Sequence, residues 1–447
     1  MSGSEHGLLA WLTHAAQLPG CAVEARHDEA TQCRGLCVIQ RCSAGDTLLR
    51  VPWECVLTVQ SAVRRLSALE RRYQPLTHMP LAEVLQLAAA ASTDLVPPGS
   101  GWSLLLTLQL LAELRDKRSP LVFYVATLPA PTGSALCVAA HGPAPGSHLS
   151  LSTPAQLESL NCPALAHAVL AERARLRQLH AALFGDAAAL SFDSFAWANA
   201  LVASRTIGLC IDATDAPSLR CLIPGIDLCN HSLSASSSLR LTTAAAAPAH
   251  SDGAHITPSS VELVAAEDLA DGEACLLDYG AHRLRHWCAT YGFVPDDDGR
   301  AEEAYEEVTL GDTGREQLLV TSSGEAELRL TAVLLAQDGA VTYHVSDSDP
   351  ADATRVVLNG RLLRFLPPEE EEGMCRVLHH AAGEVAARMA REEDAFHALA
   401  CSADADAARF APPCADLAAQ FRAARLQLLG RAAEGLLAHA TLLSLCR

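Results

Sequence analysis

The stretch PGIDLCNHS, residues 224–232, places a dense group of polar and reactive side chains directly after an apolar run. If residues 221–231 are extended, Asp227, Cys229 and His231 point to one face of a strand. Such a face is compatible with metal ligands or with a Cys–His nucleophilic pair. Asp and Asn at the end of a strand also cap backbone amides in turns. The cluster alone therefore leaves a metal site, a nucleophile and a turn as alternatives.

Composition limits the number of domains, the secondary structure content and the kind of partner. The 447 residues predict two or three domains, and half of them are hydrophobic. Aromatic residues make up only 4%, so Ala, Leu and Val must fill the core, and helices should outnumber strands. A net charge of −19 argues against nucleic-acid binding, which needs a basic face.

The sixteen cysteines are scattered and include no CxxC pair, which predicts reduced, mostly buried thiols in an intracellular protein; a structural zinc site is the weaker alternative. The longest apolar run, WSLLLTLQLLAEL (102–114), is interrupted by polar residues and predicts a buried helix, so no membrane span is expected. Because no signal or transit peptide is recognised, we expect the cytoplasm or nucleus and disfavour a plastid.

Strand and turn signals occur in three places. Residues 35–58 predict two strands joined by a turn at Ala44-Gly45-Asp46, and residues 259–280 repeat this pattern around Asp271-Gly272. Residues 221–226 predict another strand. The small, polar stretch 234–260 predicts a mobile, low-complexity insertion.

Helical periodicity dominates elsewhere. Residues 60–190 form a helical block between the strand-rich parts, and residues 7–20 predict a short helix. After Pro295 an acidic linker begins, and residues 318–447 are predicted to be helical again.

Four segments, taken in order, resemble the SET-domain methyltransferases, and within them the branch of the Rubisco large-subunit lysine methyltransferase. They surround the opening stretch and are GLCVIQRCSAGDTLLRVP (35–52), SPLVFYVATLP (119–129), LVASRTIGL (201–209) and DYGAHRLRHWCATYGFVP (278–295). The resemblance implies an α+β protein: a SET domain of short strands over residues 1–295, with the helical block as an insertion, then a mainly helical substrate-binding domain over residues 300–447.

The resemblance also implies a function, transfer of a methyl group from S-adenosylmethionine to a lysine of a non-histone protein, which requires no metal. We expect a monomer that binds neither nucleic acid nor a membrane. Methyl transfer to lysine needs a deprotonated amine, obtained by desolvation and a cationic neighbour, and an in-line geometry. Tyr279 corresponds to the catalytic tyrosine. The residues implied in cofactor binding are Gln32, Cys33, Arg34, Arg205, Asn230, His231 and Phe293. Those implied in substrate binding are Arg205, Ile207, Leu209, Asp227, Tyr279 and Tyr291.

Three departures from the family pattern keep two alternatives open. Ile207 stands where plant members have an aromatic residue, Arg283-Leu284 replaces a Ser-Asn pair, and Arg34 stands where small or aliphatic residues are common. Relatives that methylate a histidine have a polar residue at the position of Ile207, so lysine is favoured here. The alternatives are a protein-histidine methyltransferase and a catalytically silent SET-like scaffold that binds partners.

Overall fold

The structure is a computed structural model of the 447-residue chain. It describes residues 7–12, 22–27, 34–72, 75–90, 95–129, 157, 160, 162–185, 190–209, 219–232, 234–243, 258–280, 282 and 284–294, and six strands and several helical positions between 305 and 437. The chain divides into two compact units. The first comprises Met1–Leu151 and Ala168–Tyr279, and the second comprises Ser152–His167 and Gly280–Arg447.

Short strands in small sheets form the framework of the first unit. β1 (Val23–His27) pairs with β2 (Arg34–Val38), and β7 (Asn230–His231) pairs with β10 (Leu276–Leu277). Two three-stranded sheets have the orders β3-β9-β8 and β4-β6-β5. Their strands are β3 (Thr47–Pro52), β4 (Leu57–Thr58), β5 (Ile207–Leu209), β6 (Leu219–Leu222), β8 (Ser237–Thr243) and β9 (Pro258–Ala265).

The predicted helical insertion is confirmed in the described residues. Residues 7–12 are helical, as predicted, and form α1. Between β4 and β5 lie α2 (Val59–Arg71), α3 (Leu81–Ala89), α4 (Gly101–Arg115), α5 (Val122–Thr127), α6 (Pro163–Phe184) and α7 (Phe192–Arg205). Helix α2 begins at a capping box, in which Thr58 and Ser61 each accept a hydrogen bond from the other's backbone N–H.

Helix α4 is the centre of the insertion. Its residues from Leu104 to Glu113 are all buried, which confirms the buried helix predicted from the apolar run. Its first residue must be small, because a Cβ on Gly101 would lie 1.8 Å from the carbonyl oxygen of Ala88 in α3. The two helices therefore meet through backbone contact at this point.

A buried charge cluster joins the strands of the β3-β9-β8 sheet. The side chain of Glu262 is 2% exposed and accepts hydrogen bonds from Arg50 at 2.6 Å and Arg240 at 2.7 Å. Burial by itself raises the pKa of the Glu262 carboxyl, but the hydrogen bonds from the two arginines outweigh it, and the pKa lies below its usual value. The cluster therefore favours the ionised carboxylate.

Predictions for the strands of the first unit are mostly confirmed. The turns at Gly45 and Gly272 have φ of 91° and 86°, values that glycine adopts without strain. The prediction of an insertion over 234–260 is wrong at its ends, because β8 and β9 pair there in antiparallel register. Alternating Leu239 and Leu241 carry the strand signal in β8. Residues 244–257 lie outside the described residues.

The second unit contains an antiparallel sheet of six strands in sequential order. They are β11 (Tyr305–Leu310), β12 (Glu316–Thr321), β13 (Ala326–Thr331), β14 (Ala340–Val345), β15 (Arg355–Leu358) and β16 (Arg361–Phe365). The prediction that residues 318–365 are helical is therefore wrong. The region is rich in Leu and Ala, which favour helix, but AELRLT and AVTYHV alternate with a period of two. Helical positions follow between 379 and 437.

These elements make an α+β protein, as predicted. The described residues of the second unit also include α8 (Leu284–His286) and a π-helical turn, Trp287–Tyr291. The boundary between the units falls after Tyr279, whereas the sequence predicts a domain boundary near residue 295. Within the second unit, the backbone of α8 lies close to that of β11.

Candidate active site

The stretch 224–232 is not an extended strand. β6 ends at Leu222, Gly225 has φ of 86°, and Ile226–Leu228 forms a 3₁₀ turn before β7. The alternation that would put Asp227, Cys229 and His231 on one face is therefore broken. The described residues contain no group of three or more His, Cys, Asp or Glu side chains arranged to hold a metal ion.

The turn delivers Asn230 and His231 to a short parallel strand pair. Asn230 lies opposite Leu276, and His231 lies opposite Leu277. Because the strands are parallel, the residues that follow Leu277 leave the pair beside those that follow His231. Ser232 continues the pairing, since its N–H donates to the Leu277 carbonyl at 3.1 Å. This arrangement brings Tyr279 back to the opening stretch.

Tyr279 is held on this stretch by two hydrogen bonds. Its hydroxyl donates to the carbonyl oxygen of Cys229 at 2.6 Å, and its N–H donates to Nδ1 of His231 at 3.2 Å. The rings of His231 and Tyr279 have centroids 5.2 Å apart. The same Nδ1 also lies 3.3 Å from the carbonyl oxygen of Leu277, the strand residue opposite His231. The sequence-predicted residues Tyr279 and His231 therefore lie together, with Asn230 one residue away.

Asp227 lies at the centre of a second, buried group. Its side chain is fully buried and ion-paired with Arg205, at 3.3 Å between Oδ2 and Nη1. The same Nη1 donates to the Asp227 carbonyl oxygen at 2.8 Å. The hydroxyl of Tyr124 donates to Oδ2 at 3.0 Å, and the N–H of Gly225 donates to Oδ1 at 3.2 Å. Of the two roles considered for Asp227, turn cap and substrate contact, this geometry supports the cap.

Burial keeps two neighbouring groups protonated. The pKa of the Tyr124 hydroxyl is raised well above its usual value by desolvation and then by the Asp227 charge. The pKa of the Cys229 thiol is also raised well above its usual value, chiefly by desolvation. A thiol that stays protonated is a poor nucleophile, so the alternative of a Cys–His nucleophilic pair is not supported.

Strand β2 approaches the site at a glycine. A Cβ on Gly35 would lie 2.8 Å from Nδ2 of Asn230. The Asn230 amide can therefore keep its present position only if residue 35 is glycine. Asn230 is half-buried, and its amide carries two donors and an acceptor. The amide can therefore both donate to and accept from polar groups such as the ammonium and carboxylate of an amino acid.

The remaining predicted site residues are distributed as follows. Arg34 begins β2, Ile207 packs against the core of the first unit, and Leu209 is 5% exposed within that core. Gln32 and Cys33 lie outside the described residues. The structure thus gives Leu209 a packing role.

Tyr291 and Phe293 belong to the second unit and share an aromatic cluster there. The ring centroids of Tyr291 and Phe293 lie 5.0 and 5.3 Å from that of Trp287, which is almost fully buried. The Tyr291 hydroxyl lies 3.5 Å from Nε2 of His282. Their predicted roles in binding adenine and lysine remain predictions.

The sequence assigned no role to Tyr124, which the structure places against Asp227. Tyr124 lies inside the segment SPLVFYVATLP, which carried part of the resemblance, but no role followed from the pattern. A tyrosine in a buried helix could equally pack without a polar partner. The segment SPLVFYVATLP was therefore the only sequence signal used that pointed to Tyr124. Its hydrogen bond to Asp227 is visible only in the folded chain.

Among the described residues, no helix is both long and apolar enough to cross a membrane. No family model and no curated protein matches the chain in sequence.

Solved structures match it over nearly its whole length. The SET domain of LSMT bound to lysine and AdoHcy is 13% identical with a TM-score of 0.55, and the match covers 98% of this chain and 92% of that chain. The same domain with methyllysine and AdoHcy is 14% identical with a TM-score of 0.56, covering 100% and 94%. Rubisco LSMT bound to AdoMet is 14% identical with a TM-score of 0.53, covering 100% and 94%. The chain therefore has the fold of the SET domain of LSMT.

Proposed function

We propose that this protein is an S-adenosylmethionine-dependent methyltransferase that modifies a lysine of a non-histone protein. The observation that carries the proposal is the position of the Tyr279 hydroxyl, 2.6 Å from the Cys229 carbonyl oxygen and directly beside Asn230-His231. Structures with this fold are bound to AdoMet, AdoHcy, lysine and methyllysine. Bound S-adenosylmethionine would supply the methyl group on a positively charged sulfur.

The residues of the first unit suit the binding of such a molecule. Arg205 uses Nη1 for Asp227, and within the described part of the chain no hydrogen bond engages its Nε and Nη2. Those remaining N–H groups suit a bidentate contact with a carboxylate. The Asn230 amide, admitted by Gly35, suits the neighbouring amino group and carboxylate. Together they would orient an amino-acid moiety toward Tyr279.

Tyr279 and its carbonyl partner would act on the methyl and the amine. A phenol oxygen and backbone carbonyls hold a polarised methyl through weak C–H···O contacts and orient it for in-line attack. The lysine amine, with a usual pKa of about 10.4, must lose its proton before it attacks. Desolvation near a positive charge lowers that pKa, so no strong base is required of the chain.

Two measurements test the proposal. Isothermal titration of the protein with S-adenosylmethionine should show binding, and no heat at high micromolar concentration would contradict it. Incubation of a proteome with labelled cofactor, followed by mass spectrometry, should identify a protein modified on lysine. Label on histidine instead would replace lysine by the alternative substrate, and binding without any label would favour a silent scaffold.

The variant Tyr279→Phe separates chemistry from binding. It should abolish methyl transfer and change the dissociation constant for S-adenosylmethionine by less than about threefold, because the hydroxyl contacts the transferred group. Full transfer by this variant would contradict the assigned role.

A further inference from the structure

We propose that Tyr124 is a positioning residue for the cofactor-binding arginine, and that it acts through Asp227. The proposal rests on the proposed function, in which Arg205 binds the cofactor carboxylate. The chain of contacts runs from the Tyr124 hydroxyl to Asp227 Oδ2 at 3.0 Å, and from that oxygen to Arg205 Nη1 at 3.3 Å. Helix α5 of the insertion thereby reaches the site.

Arg205 depends on Asp227 for its position. It is the last residue of α7, and its guanidinium is held at two points, the carboxylate and the carbonyl oxygen of the same residue. A side chain with this many rotatable bonds loses its orientation unless such contacts fix it. Whatever fixes the carboxylate of Asp227 therefore also fixes the arginine.

Asp227 in turn depends on Tyr124. Gly225 N–H holds Oδ1, so Tyr124 and Arg205 share Oδ2. The carboxylate is fully buried, so bulk solvent does not reach it to replace a lost donor. Tyr124 is itself 1% exposed, and desolvation keeps its phenol in the donor form. Without the hydroxyl, Oδ2 retains Arg205 alone, and the carboxylate is held by one fewer donor and shifts with its partner arginine.

A purely structural role for Tyr124 predicts something different. The hydroxyl would then contribute to folding stability and leave cofactor binding unchanged. Thr127 provides the matched control, because it lies on the same helix, is 2% exposed, and donates its hydroxyl at 2.7 Å to the Tyr124 carbonyl oxygen. Thr127→Val removes a buried hydrogen bond from α5 without touching Asp227.

The experiment compares Tyr124→Phe with Thr127→Val in the full chain, by isothermal titration with S-adenosylmethionine and by thermal unfolding. Tyr124→Phe should weaken binding by about fivefold to tenfold, the loss expected when one hydrogen bond of ordinary net strength is removed. Thr127→Val should lower the melting temperature similarly and change the dissociation constant by less than about twofold. Equal dissociation constants for Tyr124→Phe and the unmodified protein would overturn the proposal, as would equal weakening by the control.

A double variant shows whether Tyr124 acts through the arginine. In an Arg205→Lys background, Tyr124→Phe should weaken binding no further, because the contact that it positions is already lost. Independent, multiplying effects on binding would overturn the proposal. If the unmodified protein does not bind S-adenosylmethionine, the proposed function fails. The link itself is then tested by unfolding, where the two substitutions should be non-additive and strict additivity would overturn it.

Discussion

Replacing Asp227 with Asn tests the buried ion pair that organises the site. The substitution preserves the size of the side chain and removes its charge. It also turns one carboxylate oxygen into an NH₂ group, which then faces a donor, since Gly225 N–H lies on one side and Tyr124 and Arg205 lie on the other. The variant loses an ion pair and at least one hydrogen bond together.

The magnitude follows from the geometry. Two unit charges 3.3 Å apart attract by about 5 kcal/mol at an effective dielectric constant of about 20. Removing one member of a buried pair typically destabilises a protein by about 3–5 kcal/mol. Because the Arg205 side chain is 21% exposed, water recovers part of that loss. We expect the free energy of unfolding to fall by about 2–4 kcal/mol.

Urea unfolding followed by tryptophan fluorescence measures this change. The chain has five tryptophans, and all except Trp287 lie in the first unit, so the signal reports mainly on that unit. Asp268→Asn is the control, because Asp268 forms an exposed pair with Arg41 at 3.8 Å and should lose about 1 kcal/mol or less. A loss for Asp227→Asn no larger than that of the control would refute the ion-pair argument.

Three further predictions concern single residues. Glu262→Gln should lower the free energy of unfolding by about 2 kcal/mol near pH 7, because two arginines lose a charged partner. The pKa of Glu262 is lowered in the folded state, so its contribution to the free energy of unfolding is present above about pH 4.5 and is lost as the pH falls through the folded-state pKa. The free energies of unfolding of the unmodified protein and of Glu262→Gln should therefore converge in acid. A constant difference between them at all pH values would contradict this. Gly35→Ala should displace the Asn230 amide and raise the dissociation constant for S-adenosylmethionine about fivefold or more, with a nearly unchanged melting temperature. An unchanged dissociation constant would contradict a role for the Gly35–Asn230 contact in cofactor binding. Gly101→Ala should lower the melting temperature by several degrees, since its Cβ would clash with the Ala88 backbone. A melting temperature equal to that of the unmodified protein would show that α3 and α4 move apart at no measurable cost in stability.

Local pattern was a reliable guide where one element carries its own signal. The long apolar run of α4, despite its few polar residues, predicted a buried helix, and Gly45 and Gly272 marked tight turns. Pattern failed in the second unit, where Leu and Ala favour helix on composition but the strands β13 and β14 alternate with a period of two. Composition and periodicity disagreed there, and pairing with neighbouring strands, which is not encoded locally, favoured the sheet.

The candidate site shows the same contrast between what the sequence predicts and what the tertiary structure decides. Tyr279, Asn230 and His231 were candidates because the segments that contain them, taken in order, resemble the SET-domain methyltransferases. The hydrogen-bond partners in the site do not follow from that order, since the Tyr124 hydroxyl reaches Asp227 across 103 positions and the Tyr279 hydroxyl reaches Cys229 across 50. Periodicity records which face of an element is apolar. A hydrogen bond between distant residues depends instead on which elements pack together and at what distance, and only the folded chain determines that.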